Sequence, residues 1–420
     1  MASNQKKLQK PKIAILHAFF KHDCKGGGEK LIFDIRDHYK ADLYAGAISK
    51  EVWGKGCRES DSFVSRLWDD NFNFDYLHSD SKKPWRSQLK RQLYFLFSPK
   101  INKLINYDIV IFSGNIGFVP TRLWILKKLA GLSQKKPSSK ITGDVNAKQA
   151  NNHNSLEKPY KRPKMVMYCH TPPRPITDQF EAKIKLQPKL LRPLLWLGAK
   201  LFLWLYKLDT SRFEVIVTNS NNTKNRLKKY TGFDSIPVYP AAQTDKFRWR
   251  GQDDYYLSFA RLEKIKRIPM VLDAFEKMPD KKLIMASSGP LKDWVKQQIE
   301  IRNLKNVVYK GIVLDERLQE LVGRCISGIY IPVDEDAGMT QIELMSAGKP
   351  VIGVEDGGLK ETVIHGKTGF LIPKDPKVED LVQAVYKMTP KRALEMKDQS
   401  RKQALKFSDK IFFEKMEKVL

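Results

Sequence analysis

The chain has 420 residues, 42% of them apolar, and carries 75 Lys and Arg against 47 Asp and Glu, a formal charge of +28. That length and apolar content predict two or three folded domains and exclude a disordered chain. The charge calls for an anionic partner: nucleic acid, an anionic membrane surface or a phosphorylated substrate. The cations are mixed with acids along the chain, which describes a cationic surface better than a nucleic-acid arm.

In chain order, Met1–Lys10 is polar and lysine-rich, and the apolar stretch after it is too short for a secretory signal. Short apolar runs then alternate with longer amphipathic ones, which predicts β-α-β units and parallel sheets. The predicted strands are Lys12–Leu16, Asp108–Phe112, Met165–Cys169 and Glu214–Thr218. In the second half they are Tyr255–Phe259, Lys282–Ala286, Val307–Lys310, Gly328–Pro332 and Pro350–Val354.

The stretch 132–164 is polar and without periodicity, and is expected to be a mobile insertion. Periodicity also lapses around Pro240–Asp253. The predicted domains are therefore 1–240 and 241–401, two doubly wound units facing each other across a ligand cleft. The tail Lys402–Leu420 reads as one amphipathic helix, expected to pack back toward the first domain. Cys24, Cys57, Cys169 and Cys325 show no C-x-x-C pair, so reduced thiols, a cytoplasmic setting and no zinc site are expected.

Leu194–Leu208 is strongly apolar, but as a helix it reaches only about 22 Å against a hydrocarbon core of roughly 30 Å. Burial in the first domain's core is the expectation for it. Docking on an anionic membrane is the alternative, shared with the cationic and aromatic segment Lys82–Lys100.

Four constellations carry chemistry. The first is the loop after Gly328–Pro332, where Glu335 and Glu343 stand with seven residues between them. Thr340-Gln-Ile-Glu343 fits a capping box, with Gly348 at the helix C′ position and Pro350 ending the helix. The loop glycine and helix start could present amides to a phosphate, and the carboxylates could accept from vicinal hydroxyls. Asp334-Glu335-Asp336 could also hold a divalent cation, a weaker reading.

Arg261 and Lys266, after a strand, suit a diphosphate, with solvated surface charge as the plain alternative. Gly26-Gly27-Gly28-Glu29 would let a ligand approach the backbone, or is a flexible turn. His170, in Cys169-His170-Thr171-Pro172, could donate to a substrate oxygen or move a proton, or be structural.

Together these features resemble the retaining family 4 glycosyltransferases of the GT-B fold, in particular the mannosyltransferase-like branch that assembles surface or lipid-linked glycans. The resemblance rests on Gly26–Glu29, Tyr107–Val110, His170–Pro172, Thr218–Ser220, Arg261 with Lys266, Ser288–Pro290, and Glu335 with Glu343. It implies two Rossmann-like domains and a nucleotide-sugar donor, with no metal or other cofactor.

The resemblance also implies roles. Glu343 would hold the ribose, Glu335 would lie beside the transferred sugar, and Arg261 and Lys266 would hold the diphosphate. The backbone of Gly338, Met339 and Thr340 would contact sugar or phosphate, Gly27 would border the phosphate, and His170 would sit near the sugar. Three departures stand out: Arg267 replaces a usual glycine, Ala337 a common aromatic, and Pro173 and Pro175 alter the usual surroundings of the His-Thr-Pro turn.

The expected activity moves a mannose- or glucose-type hexose to a hydroxyl of a glycan or lipid-linked acceptor. It would take place in the cytoplasm or on the cytoplasmic face of an anionic membrane. A soluble synthase of a storage or compatible saccharide is the enzymatic alternative. A nucleic-acid-binding protein is the alternative of another class; no nucleic-acid motif supports it, and none is expected as a partner.

Overall fold

The computed structural model describes residues 11–17, 27–45, 64–66, 99–114, 119–133 and 163–420. Thirteen strands form two sheets among these residues. The first is ordered β3-β2-β1-β4-β5-β6-β7, where β1 is Ile13–His17, β2 Asp42–Ala45, β3 Val64–Arg66, β4 Ile109–Ser113, β5 Lys164–Cys169, β6 Val215–Thr218 and β7 Ile236–Pro237. The second is ordered β10-β9-β8-β11-β12-β13, with β8 Tyr256–Ser258, β9 Leu283–Met285, β10 Val307–Tyr309, β11 Gly328–Tyr330, β12 Val351–Val354 and β13 Gly369–Ile372. Pairing is parallel, as in Ala14↔Asp42 and Ala14↔Val110 of the first sheet and Tyr256↔Leu283 of the second.

Helices cover these sheets, which is why strands such as Ile109–Ser113 are buried at every residue and read as continuous apolar runs. In each sheet the strand order reverses once, between β1 and β4 and between β8 and β11. Loops leaving the C-terminal ends of strands at such a reversal form the crevice where open α/β sheets bind ligands.

Contacts divide the chain into two compact units, residues 1–216 with 230–233 and residues 217–229 with 234–420. The core of the second unit packs helix Ile268–Glu276 over the sheet through Val271, Leu272 and Phe275. Tyr256 is buried against Phe275, and its hydroxyl donates to the carbonyls of Val385 and Met388 at 3.1 and 2.8 Å. The phenol thus meets its polar requirement inside the core.

The tail departs from the single helix expected. It forms Lys397–Leu405 and Asp409–Glu417, broken at Phe407–Ser408, where Ser408 Oγ accepts from the Ile411 amide and starts the second helix. Phe407 packs edge-on to Tyr239, and its carbonyl accepts from the Ala242 amide, so the break is fixed by packing within the second unit.

Burial of Leu194–Leu208 is also overturned. Helix Arg192–Thr210 is buried only at Tyr206, Asp209 and Thr210, and its first turns are exposed. Cys169 and Cys325 are buried, and burial pushes the Cys325 thiol up to about 12. Cys24 and Cys57, residues 134–162 of the predicted insertion and 82–98 of the cationic segment lie outside the described residues.

Candidate functional site

In the second unit, the site grows from the two loops at the β8/β11 reversal. β11 ends at Tyr330, a phenol in an otherwise aliphatic strand, and its hydroxyl donates to Glu335 Oε2 at 2.9 Å. Lys266 Nζ donates to the same Glu335 oxygen and to the Tyr330 hydroxyl, 3.0 Å away. A lysine ammonium has three donors, so this arrangement leaves one for a ligand oxygen.

Glu335 and Glu343 both act electrostatically on the Tyr330 phenol. Burial first, then the charge of Glu335, holds the Tyr330 phenol well above its ordinary range, so it stays protonated and able to donate. Lys266 and Glu335 are therefore bonded to one phenol, within the electrostatic reach of Glu343. Arg261 is not drawn into that cluster: its Nε pairs with Glu263 at 3.0 Å, and its side chain is 57% exposed, free to swing.

The β11 loop is held rigidly by groups the sequence did not single out. Arg226, whose side chain is only 7% exposed, donates through one guanidinium nitrogen to Asp334 and through the other to Asp336. Asn222 donates to the Glu335 carbonyl at 3.1 Å, and the Gly358 amide donates to it at 2.7 Å. Gly357 sits at φ +54°, and a Cβ there would stand 2.3 Å from that carbonyl, so only glycine lets the two loops touch. Glu361 accepts from the Asn221 and Asn222 amides and from the Tyr239 hydroxyl, anchoring the N-terminus of helix Asn221–Thr231 that carries Arg226. The signal for this support was the Thr218–Ser220 motif just before that helix; Arg226 itself had none.

The acidic triplet thus has its charges answered by protein cations, Asp334 and Asp336 by Arg226 and Glu335 by Lys266. No cluster of metal-ligating side chains occurs among the described residues.

The helix after the loop starts differently from the capping box. Helix Thr340–Ser346 has Met339 as its N-cap residue and no side-chain cap, so Thr340 lies one position inside the helix instead of capping it. Gly338 precedes it at φ +72°. At the other end the expectation holds: Gly348 is left-handed at φ +68°, its amide bonds the Met345 carbonyl and the Lys349 amide bonds the Leu344 carbonyl. Those two bonds form a Schellman ending.

Arg267 follows Lys266 in the left-handed region, φ 51° and ψ 35°, a conformation glycine takes at little cost. Its guanidinium donates to the carbonyls of Ile331 and Pro332 at 3.1 Å and of Lys374 at 2.7 Å. The departure from glycine therefore adds a clamp between the Lys266 turn and the end of β11.

In the first unit, Gly27 opens helix Gly27–Tyr39 after β1 and is exposed. His170 follows β5. Its Nε2 lies 2.9 Å from Ser113 Oγ, and Ser113 Oγ lies 3.0 Å from His17 Nδ1, so the ends of β1, β4 and β5 are joined by one polar chain. A Cβ on Gly28 would be 3.5 Å from His170 Nδ1, which places the glycine turn against the ring. Burial, then His17, pushes the His170 imidazolium down to about 3, so the ring is neutral at pH 7 and acts as a hydrogen-bonding group.

Comparison with known proteins concerns the units that carry these loops. Residues 241–407 match the family described as glycosyl transferases group 1. The second unit carries a glycosyltransferase group 1 domain. The chain is 28% identical to alpha-1,3/1,6-mannosyltransferase ALG2 of Dictyostelium discoideum, over 56% of this chain and 63% of that protein. It is 23% identical to the mouse ALG2, over 51% of this chain and 57% of that one. The match thus spans less than two thirds of these curated relatives.

Among solved structures, Anabaena Alr3699/HepE in complex with UDP and glucose superimposes with a TM-score of 0.64 at 17% identity, covering 97% of this chain and 99% of that one. Sucrose-phosphate synthase from Thermosynechococcus elongatus gives 0.66 at 14%, covering 97% and 98%. At those identities the likeness concerns fold, and the fold is GT-B. The resemblance to mannosyltransferase-like glycosyltransferases seen in the sequence motifs is borne out.

Proposed function

We propose that this protein is a retaining hexosyltransferase. It takes a mannose- or glucose-type hexose from a nucleotide sugar to a hydroxyl of a glycan or lipid-linked acceptor, working on the cytoplasmic face of an anionic membrane. The observation that carries this reading is the Lys266–Tyr330–Glu335 cluster at the β8/β11 reversal, beside the turn that opens helix Thr340–Ser346. The names of the ALG2 relatives favour mannose, and the UDP and glucose bound by Alr3699/HepE favour a nucleotide sugar as donor.

The roles are those the resemblance implies, and the chemistry of each group suits them. Lys266 offers its remaining donor to the diphosphate, and the exposed Arg261 swings onto it. Glu343 accepts from ribose hydroxyls and Glu335 from the sugar, while the amides of Gly338, Met339 and Thr340 face the phosphate or sugar. For the first unit taken by itself, the resemblance implies a phosphate-side role for Gly27 and a sugar-side role for His170, which as a neutral imidazole can donate one hydrogen bond.

In the reaction the bond from the anomeric carbon to the phosphate oxygen breaks, and its electron pair stays on that oxygen. The acceptor oxygen bonds the same face of the carbon, and its proton passes to the departing phosphate. Lys266 and Arg261 stabilise the charge that develops there. With Asp334 and Asp336 held by Arg226, the reading assigns this task to protein cations and requires no metal.

The test is release of nucleoside diphosphate by purified protein from a panel of nucleotide sugars, with and without a chelator. Release from a hexose donor that is stimulated by a lipid-linked or glycan acceptor and indifferent to chelator is expected. No turnover of any hexose donor would sink the proposal, and loss of turnover with chelator would sink its metal-free part.

A further inference from the structure

Between residues 186 and 204 stand nine of the large apolar side chains that the described residues leave exposed. Leu190 is 94% exposed, and Leu194, Leu195, Trp196 and Leu197 are four exposed residues in a row. At about 100° per residue, four consecutive positions point all the way round a helix. The first turns of helix Arg192–Thr210 are therefore apolar and uncovered on every side, whereas Tyr206, Asp209 and Thr210 root its far end in the protein. A helix that docks on another protein offers one apolar stripe; one that is apolar all round asks for an apolar surrounding.

The charges around it are one-sided. From Phe180 to Leu208 there are six cations, Lys183, Lys185, Lys189, Arg192, Lys200 and Lys207, against Glu181 alone. Lys200 Nζ lies over the Trp196 ring, 5.1 Å from its centroid, so a cation sits on the indole face, and a lysine on an apolar helix can extend from such a place to headgroups. Trp196 and Trp204 are suited to that boundary. The turn before the helix also has its carbonyls answered: the Arg192 guanidinium donates to Lys185 O at 2.8 Å and to Gln187 O at 3.0 Å. A turn so satisfied can enter a medium without water at less cost.

We propose that residues 186–204 are a membrane-docking element, in which Leu190, Leu194, Trp196 and Leu197 enter one leaflet of an anionic bilayer while the surrounding lysines meet lipid phosphates. The element dips into the leaflet without spanning it: among the described residues no helix is long and apolar enough to cross a membrane. This proposal rests on the reading that the acceptor is lipid-linked, and assigns the surface that would bring the enzyme to it.

The experiment is sedimentation of the full chain with phosphatidylcholine vesicles, with and without about a third phosphatidylglycerol, at low salt and at about 0.5 M. Three proteins are compared: wild type, the triple variant Leu194→Ser, Trp196→Ser, Leu197→Ser, and Leu314→Ser, which alters an exposed leucine elsewhere. Wild type and Leu314→Ser should bind the anionic vesicles and weaken as salt rises. The triple variant should partition at least about tenfold less, with an unchanged melting temperature because its positions are exposed.

Equal binding of the triple variant, or equal binding of wild type to neutral vesicles, overturns the proposal. So does a wild type that ignores vesicles but forms a dimer the triple variant cannot, since a second copy would then be the occupant. Donor turnover measured in parallel separates the two readings: turnover without vesicle binding refutes the surface alone, and binding without turnover refutes the activity alone.

Discussion

Arg267 offers a direct test of how the Lys266 turn is built. Two effects act at this position with opposite sign. The left-handed backbone costs a side-chain-bearing residue about 1–2 kcal/mol, and the guanidinium returns three hydrogen bonds to the carbonyls of Ile331, Pro332 and Lys374. Bonds from a charged donor contribute roughly 1.5–3 kcal/mol each when buried. Here the side chain reaches partly into solvent and the freed carbonyls can be rewetted, so about 2–3 kcal/mol for the set is appropriate.

Arg267→Ala removes the clamp and keeps the strain. Arg267→Gly removes the clamp and relieves the strain, and glycine is also the better N-cap for helix Ile268–Glu276. Glycine should therefore be more stable than alanine by about 1 kcal/mol, with both below wild type. In a unit of this size that gap is about 2–4 °C in melting temperature, readable by calorimetry. Arg267→Lys should fall between wild type and alanine, because a point charge cannot fork across the carbonyls. Alanine equal to or above glycine would refute the strain, and either at wild-type stability would refute the clamp.

The other expectations concern the site and its supports. Lys266→Ala and Glu343→Ala should each lower turnover by about a hundredfold or more with the fold intact, as judged by melting and circular dichroism; wild-type rates would show the site to be misplaced. Arg226→Met leaves Asp334 and Asp336 facing each other without their cation, and should cost about 2–3 kcal/mol in denaturant titrations. Adding Asp334→Asn and Asp336→Asn should recover part of that loss, and a harmless Arg226→Met would discount the support. His170 has its pKa lowered to about 3, so its ring proton resonances should show no titration from pH 8 to 5. The unfolded chain protonates this group near its ordinary value and the folded chain does not. Its contribution is therefore present above about 6.5 and lost as pH falls toward about 3, where it levels off. A His170→Asn variant with an unchanged acid limb of stability would contradict this.

Much of the fold was legible in the chain itself. Nine strands were read near their observed positions because parallel strands covered on both faces leave uninterrupted apolar runs. Asp42–Ala45, Val64–Arg66, Ile236–Pro237 and Gly369–Ile372 were not. Gly369–Ile372 shows why: it opens on a glycine because a Cβ there would lie 2.0 Å from the Val351 carbonyl, and the strand's own packing removes the residue type that would announce it. Ile236–Pro237 is two residues long and ends on a proline, too little for a period to show.

What the sequence determined by itself is local: the two α/β units, the Lys266 and Glu335 motifs, and Gly348 closing its helix, each set by residues near one another along the chain. Tertiary structure decided whatever depends on distant neighbours. It set Thr340 inside its helix instead of at the cap, brought Arg226 from more than a hundred residues away to Asp334 and Asp336, and left the Arg192 helix uncovered where burial was expected. The physical reason is common to all three. Hydrogen-bond direction and solvent exposure are properties of what a side chain faces, and a linear pattern records the side chain without recording the face.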